Sequence, residues 1–200
     1  MKIESRGTLL AVAVILFGMV GPTAARADKA VPAAAKPASV EPAAPERGVR
    51  AEFLADHAAV TGKLLQLAEA IPADKYTWRP QPGVRSVSEV LLHAAGANYF
   101  IPTFFGVSLP EGMDLKTFET STTEKAKVIE TLQASIAYAR GAVLRLPDAD
   151  LEKTGKFFGG REVTYRAMIT SAAEHSHEHL GQLIAYARMN GVTPPWSKAE

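Results

Sequence analysis

Apolar residues recur at helical spacing in four stretches of this chain, and clusters of proline or glycine separate the stretches. The pattern predicts helices over 51–70, from 86 onward, over 121–146 and over 164–190. Amphipathic helices of this length can bury one shared core by packing side by side. The sequence therefore predicts an all-α fold, an up-and-down four-helix bundle.

Local signals refine the helix boundaries. In the first helix, one stripe is predicted to face the core; its members are Leu54, Ala58, Thr61, Leu65 and Ala68. Two Ser-x-x-Glu capping boxes predict the starts of the second and third helices: Ser86 with Glu89, and Ser121 with Glu124. Pro147 is expected to end the third helix.

Two connections between the helices have features of their own. The stretch 106–120 is long and apolar enough to cover one end of the bundle. Gly159-Gly160 lies between short apolar or β-branched patches, which predicts a hairpin-like turn before the last helix.

Three histidines fall on the apolar helix faces. His93 lies where an apolar side chain of the second helix would point inward, and a buried polar group there needs a partner. His175 and His179 are four residues apart, so on a helix they lie one turn apart and about 40° around the axis. Two adjacent buried imidazoles would otherwise compete for few acceptors. We therefore predict that these three histidines ligate one divalent metal ion and leave a fourth position open.

Nearby polar residues have other interpretations. His177 is two residues from each histidine of the pair, about 200° around the helix, which disfavours it as a ligand. His57 is interpreted as a histidine at the edge of the core or one that supports a ligand. Glu174 and Glu178 are the candidate catalytic residues, as proton carriers, against the alternative of a solvated helix face. The His-Glu-x-x-His motif of metalloproteases is absent from the sequence.

The N-terminal residues predict export. Lys2 and Arg6 precede an uncharged apolar run of 13 residues, 8–20, and the small-x-small pattern Ala25-Arg26-Ala27 follows it. The run is shorter than the roughly 20 residues that span a bilayer. We expect a signal peptide over 1–27, an extended linker rich in alanine and proline over 28–48, and one domain over 49–200. The expected location is the periplasm or the exterior, with no membrane span after cleavage.

Composition excludes several kinds of chemistry. The 200 residues contain no cysteine, so disulfides, thiolate ligands and a cysteine nucleophile are excluded. The full chain has 22 basic and 21 acidic residues; cleavage after Ala27 would remove Lys2, Arg6 and Arg26 against Glu4, leaving 19 and 20. This balance gives no reason to expect a nucleic-acid partner.

Several motifs together resemble the DinB superfamily of four-helix-bundle metalloproteins. They are the turn from Trp78 to Gly83, the segment from Ser86 to His93, the Gly159-Gly160 turn, the His175-x-x-x-His179-Leu-Gly-Gln element, and the closing Gly191 with Pro194-Pro195. The resemblance implies that His93, His175 and His179 hold a divalent metal, often zinc or nickel, with water completing the shell. One departure is Leu180, where the family often has arginine or lysine; we expect it to alter solvent contacts near the site.

The family resemblance also implies a function. Members with known activity are mostly transferases or isomerases that use low-molecular-weight thiols, and relatives are often homodimers. Export disfavours thiol chemistry, because such thiols are cytoplasmic pools. The prediction is a metal-dependent transferase or hydrolase with a small-molecule substrate. The alternatives are a non-catalytic metal-binding or sensing module and an interaction protein whose histidines are merely packed.

Overall fold

The computed structural model describes residues 42–197, and most of them are helical. Five α-helices follow one another: α1 (Val49–Ala70), α2 (Val87–Phe100), the short α3 (Leu115–Phe118), α4 (Lys125–Arg145) and α5 (Tyr165–Met189). Two short antiparallel strands, β1 (Thr154–Lys156) and β2 (Glu162–Thr164), lie between α4 and α5. The predicted all-α class is confirmed to the extent that the described residues are mostly helical; the two-stranded hairpin is an addition to it.

The four long helices bury a common interior. Both α1 and α2 pack against α4 and against α5, so each long helix has two long neighbours. One part of the core lies mainly among α1, α2, α4 and α5 around Leu64, Leu91, Leu132 and Leu183. A second part, around Ile101, Val143 and Ile169, lies toward the hairpin. The histidine-bearing helices α2 and α5 are thus held against each other by both flanking helices.

The helices that carry the histidines begin at side-chain caps. Ser86 Oγ accepts a hydrogen bond from the Glu89 backbone N–H, and the Ser86 N–H donates to Glu89 Oε2, which forms the predicted capping box of α2. Thr164 caps α5 by accepting from the Ala167 N–H. These bonds satisfy backbone donors that have no partner within the helix.

The Gly159-Gly160 turn predicted from the sequence lies in the hairpin. Gly155 pairs with Val163 in the antiparallel register. Gly159 and Gly160 have φ values of 67° and 77°, in the left-handed region that glycine adopts without steric cost. The strands begin at Thr154, three residues before the apolar patch that predicted the turn.

Two details of the helix predictions are wrong. Of the stripe predicted to face the core, Thr61 and Ala68 are buried, whereas Ala58 is exposed and Leu54 and Leu65 are only partly buried. The buried face of α1 is formed mainly by Phe53, His57, Val60 and Leu64. Because alanines lie on several faces of α1, two different stripes of the helix could face the core. The stripe with the larger apolar side chains is the one that packs.

The second capping box does not form. Helix α4 begins at Lys125 with Glu124 at the capping position, and no side chain caps it. Ser121 Oγ is buried without a hydrogen-bond partner among the described residues. The Glu124 N–H instead donates a hydrogen bond to Thr122 Oγ1. Ser121 and Glu124 have the spacing of a capping box but do not form one, because the helix begins only at Lys125.

The connection 106–120 contains α3 and returns to the bundle. Phe118 is buried and meets Tyr99 of α2 edge to face, with ring centroids 5.9 Å apart. The predicted signal peptide and the greater part of the predicted linker lie outside the described residues; of the linker, 42–48 is described and has neither helix nor strand. Within residues 42–197, no helix is long and apolar enough to cross a membrane.

Candidate metal centre

Helices α2 and α5 bring three imidazoles together. His175 Nε2 lies 3.2 Å from His93 Nε2 and 3.2 Å from His179 Nε2. One ring nitrogen from each histidine lies within 4.8 Å of the others. His179 is buried, while His93 and His175 are half-buried. The three residues predicted as ligands therefore form one cluster with access from one side.

Hydrogen bonds on the opposite ring nitrogens fix two of the imidazoles. His93 Nδ1 donates to Glu119 Oε2 at 2.9 Å, and His179 Nδ1 donates to Gln182 Oε1 at 2.9 Å. The Gln182 side-chain amide donates to the Tyr186 hydroxyl, which orients its oxygen toward His179. A neutral imidazole that donates from Nδ1 has a lone pair on Nε2. The Nε2 lone pairs of His93 and His179 are thus directed into the cluster.

The cluster has the donor set and spacing that suit a tetrahedral cation. A neutral His175 carries at most one hydrogen on Nε2, and this hydrogen can point at His93 Nε2 or at His179 Nε2. In the other of these two close contacts, two nitrogen lone pairs therefore face each other without a proton between them. In a tetrahedral zinc site with bonds of about 2.0–2.1 Å, ligand nitrogens are about 3.3–3.4 Å apart. The observed 3.2 Å contacts are close to this value. The residues therefore fit a divalent metal ion.

The electrostatic surroundings favour neutral imidazoles. Burial is the largest cause that lowers the pKa of His175, and together with the neighbouring His179, His93 and Arg85 it brings this pKa to about 4. Burial also lowers the pKa of His93, as do Arg85 and His179, although Glu119 acts in the opposite direction. Neutral imidazole is the form that binds metal, so protons compete weakly for His93 and His175 at neutral pH.

The pattern analysis missed Glu119. Burial opposes ionisation of this carboxyl, but hydrogen bonds from Arg85 and His93 outweigh burial and hold its pKa below the usual range. Arg85 donates from Nε to Oε1 and from Nη2 to Oε2 of Glu119. Glu119 follows the four-residue helix α3 in a connection without helical periodicity, where no sequence pattern separates it from the other acidic residues, Glu111 and Asp114.

The other histidines lie apart from the cluster. His57 is buried in α1, where its ring stacks on Phe53 and its Nε2 lies 3.2 Å from Asn98 Oδ1. His177 is exposed and pairs with Asp56 across α1 and α5, at 3.0 Å. Within 42–197, neither belongs to the group of residues that could share an ion with His93.

The two glutamates predicted as proton carriers are exposed. Glu174 lines a different groove, beside the hairpin, together with Arg161 and Arg166. Glu178 lies on the exposed side of α5. The role assigned to them stays a prediction. Leu180 is 6 % exposed and packs in the core, so the expected change in solvent contacts does not follow from its position.

A cavity of about 720 Å³ opens beside the cluster. His93, His175 and Glu119 form part of its wall, and the rest is mostly apolar, including Phe100 and Phe118. Its volume is within the range of about 300–1,000 Å³ that small-molecule sites occupy. We call this cavity the aromatic groove.

Fold and site together define a mostly helical protein with a half-buried cluster of three histidines at the edge of an apolar groove. The chain belongs to the DinB superfamily, because the family model matches residues 56–183. The predicted family membership is confirmed.

Individual relatives agree with this placement. The chain is 27% identical to the uncharacterized protein YjoA of Bacillus subtilis (strain 168) over 128 residues, 64% of this chain and 82% of YjoA. The crystal structure of a DinB-like protein from Bacillus cereus ATCC 10987 superposes with a TM-score of 0.62 at 18% identity, covering 73% of this chain and 95% of that one. The structure of B. subtilis YjoA gives a TM-score of 0.51 at 22% identity and covers 71% of this chain and 93% of its own. These structural likenesses establish the fold.

Proposed function

We propose that this protein is a divalent-metal-binding, up-and-down four-helix bundle that acts as a metal-dependent transferase or hydrolase. His93, His175 and His179 are the proposed ligands, and zinc or nickel is the proposed ion. One observation supports this most directly: Nε2 lone pairs of His93 and His179 are directed toward His175, while their Nδ1 atoms are bound to Glu119 and Gln182.

The proposed site combines a metal ion, residues that orient its ligands, and an apolar wall. When bound, a divalent ion would supply Lewis acidity, which polarises a substrate and lowers the pKa of a bound water or thiol. Glu119 and Gln182 hold the imidazoles of His93 and His179 in place. The apolar wall of the aromatic groove, including Phe118, excludes water from one side of a bound substrate.

An open fourth position supports catalysis over the alternative of a non-catalytic metal module. A closed site would require a fourth protein ligand, such as His57 or Glu174. His57 bonds to Asn98, and Glu174 lines the groove beside the hairpin. In the described part of the chain, the cluster contains His93, His175 and His179 alone. Three protein ligands and an open position are typical of catalytic zinc sites.

Export is the proposed route to the place of action. The apolar run 8–20 and the Ala25-Arg26-Ala27 pattern support cleavage after residue 27 and a mature protein in the periplasm or outside the cell. Outside the cytoplasm, hydrolysis or transfer to an acceptor other than an intracellular thiol is the favoured reaction.

Elemental analysis is the first experiment. The full-length chain is expressed through its own export route, purified without chelator or histidine tag, and compared with single alanine variants of His93, His175, His179 and His177. We expect about one divalent ion per chain in the wild type and the His177→Ala control, and its loss in the other three variants. Circular dichroism establishes that each variant is folded. Stoichiometric metal in folded His179→Ala, or none in the wild type after reconstitution, would refute the site.

Activity is measured afterwards with hydrolysis and thiol-transfer substrates on metal-loaded and chelated protein. Turnover that requires both the ion and His93 supports the enzyme proposal. A loaded, folded protein without turnover across both substrate sets favours the non-catalytic module.

A further inference from the structure

The aromatic groove has a definite chemical character that the histidine cluster does not account for. Its apolar wall includes three phenylalanines that come from different elements: Phe100 at the end of α2, Phe118 at the end of α3, and Phe158 in the turn between the strands. The rings of Phe100 and Phe158 have centroids 5.8 Å apart. Aromatic faces and edges of this kind bind flat or elongated apolar groups.

Phe158 is an unusual residue for a hairpin turn. It is 48 % exposed and is one of only two large apolar side chains that the described residues leave exposed. Its ring also meets Phe104 and Phe157, with centroids 5.0 Å and 4.5 Å apart, so its position against the groove is supported from behind. Exposed apolar surface in a concave site indicates a ligand-binding surface.

Gly96 leaves space on the α2 side of the groove. It lies inside a helix, where glycine costs about 1 kcal/mol relative to alanine. A Cβ atom added there would lie 3.4 Å from Phe118 Cδ1, an ordinary contact, so any longer side chain would have to extend into the groove or displace that ring. The absence of a side chain at 96 therefore preserves the groove beside His93.

Among the described residues, the acidic group at the groove is paired, whereas one basic group is not. The carboxylate of Glu119 is matched by Arg85 and by the hydrogen bond from His93. Lys116 also lines the groove, is exposed, and has no ion pair with another described residue. The unmatched charge at the groove is positive.

We propose that the aromatic groove binds a small molecule with an aromatic or other apolar body and a single anionic group. The apolar body packs against Phe100, Phe118 and Phe158, and the anionic group pairs with Lys116. This inference deepens the proposed function, because it names the substrate class of the same site and rests on that function for the reaction, although binding itself does not require the metal.

Three matched probes test the proposal: 4-phenylbutanoate, 4-phenylbutan-1-ol and 4-phenylbutan-1-amine. They share one body and differ in charge. Isothermal titration calorimetry is carried out on chelated protein from the full-length chain, which prevents direct coordination of the carboxylate by a metal ion. We expect the carboxylate to bind about five-fold more tightly than the alcohol, and the amine to bind most weakly, as for a partly exposed charge pair.

Variants separate the two parts of the site. Lys116→Gln should bring carboxylate affinity to that of the alcohol and leave the alcohol unchanged, whereas Lys156→Gln, an exposed lysine outside the groove, should change neither. Gly96→Leu should weaken all three probes by at least about tenfold. If Gly96→Leu does not fold, Phe158→Ser provides the same test at an exposed position.

Equal affinity for the three probes, or an unchanged carboxylate preference in Lys116→Gln, would overturn the proposal. Zinc titrations on the same samples distinguish this failure from failure of the metal site. Charge-selective binding by a protein that takes up no zinc would leave the groove proposal standing and refute the metal centre. Stoichiometric zinc binding with no selectivity among the probes would support the metal centre and refute the groove proposal.

Discussion

Replacing Glu119 isolates the part of the metal site that has no role as a ligand. Its carboxylate accepts the His93 Nδ1 hydrogen bond at 2.9 Å and is itself held by two donors of Arg85. The hydrogen bond fixes both the ring orientation and the tautomer that directs the Nε2 lone pair into the cluster. Glu119→Ala removes this constraint and leaves all three ligands in place.

The expected effect is a loss of zinc affinity without loss of the fold. Removal of a hydrogen-bond partner from a metal-bound histidine typically weakens metal binding 10- to 100-fold, which corresponds to about 1.4–2.7 kcal/mol. We expect Glu119→Ala near the upper value, because Arg85 then also loses its carboxylate. Glu119→Gln retains an oxygen acceptor but no charge, and should lie near the lower value. Arg85→Gln should have a smaller effect than either.

A competition titration with a chromogenic zinc chelator, at neutral pH and fixed ionic strength, measures these affinities. Glu130→Gln is the matched control, because it makes the same chemical change at an exposed glutamate of α4 and should leave zinc affinity unchanged. Wild-type zinc affinity in folded Glu119→Ala would refute the reasoning, since His93 would then be oriented by its packing alone.

Two further predictions concern stability. Burial lowers the pKa of His57, so the unfolded chain binds a proton at this residue at a higher pH than the folded chain does. The free energy of unfolding should therefore fall as the pH drops below about 6.5, and His57 should contribute at most about 1.4 kcal/mol per pH unit to this fall. In urea unfolding of chelated protein, His57→Gln should lose less stability than wild type between about pH 7 and pH 5, and equal slopes would contradict this. Ser86→Ala should lower the free energy of unfolding by about 1 kcal/mol through loss of the α2 cap, while Ser121→Ala should be neutral or stabilising, because its buried hydroxyl has no partner; similar losses in both would indicate that both capping boxes form.

The ligand histidines could be predicted because helical periodicity alone places them. On α5, His175 and His179 continue at helical spacing an apolar stripe that includes Met168, Ala172, Leu183 and Tyr186, and on α2 the capping box fixes where the helix begins. Both signals are local, so they depend on no knowledge of the rest of the fold.

Predictions failed where tertiary contacts decide between local alternatives. Helix α1 has small or apolar residues on several faces, and only packing against α4 and α5 selects the face of Phe53, His57 and Val60. Glu119 lies 26 residues from His93 in a stretch without periodicity, so no spacing rule connects them. The aromatic groove was missed for the same reason: Phe100, Phe118 and Phe158 belong to three separate elements.

The division of roles between helices and connections has a consequence for how this site can vary. All three proposed ligands come from α2 and α5, which both flanking helices hold in place. Three of the groups that give the groove its shape and charge, Lys116, Phe118 and Phe158, come from α3 and the hairpin turn. Loops tolerate substitution better than packed helices. Changes in these two connections can therefore alter which small molecule binds beside the cluster while the imidazoles remain in place, with one exception. Glu119 lies in a connection yet orients a ligand, so substitutions around α3 affect both substrate selection and metal affinity.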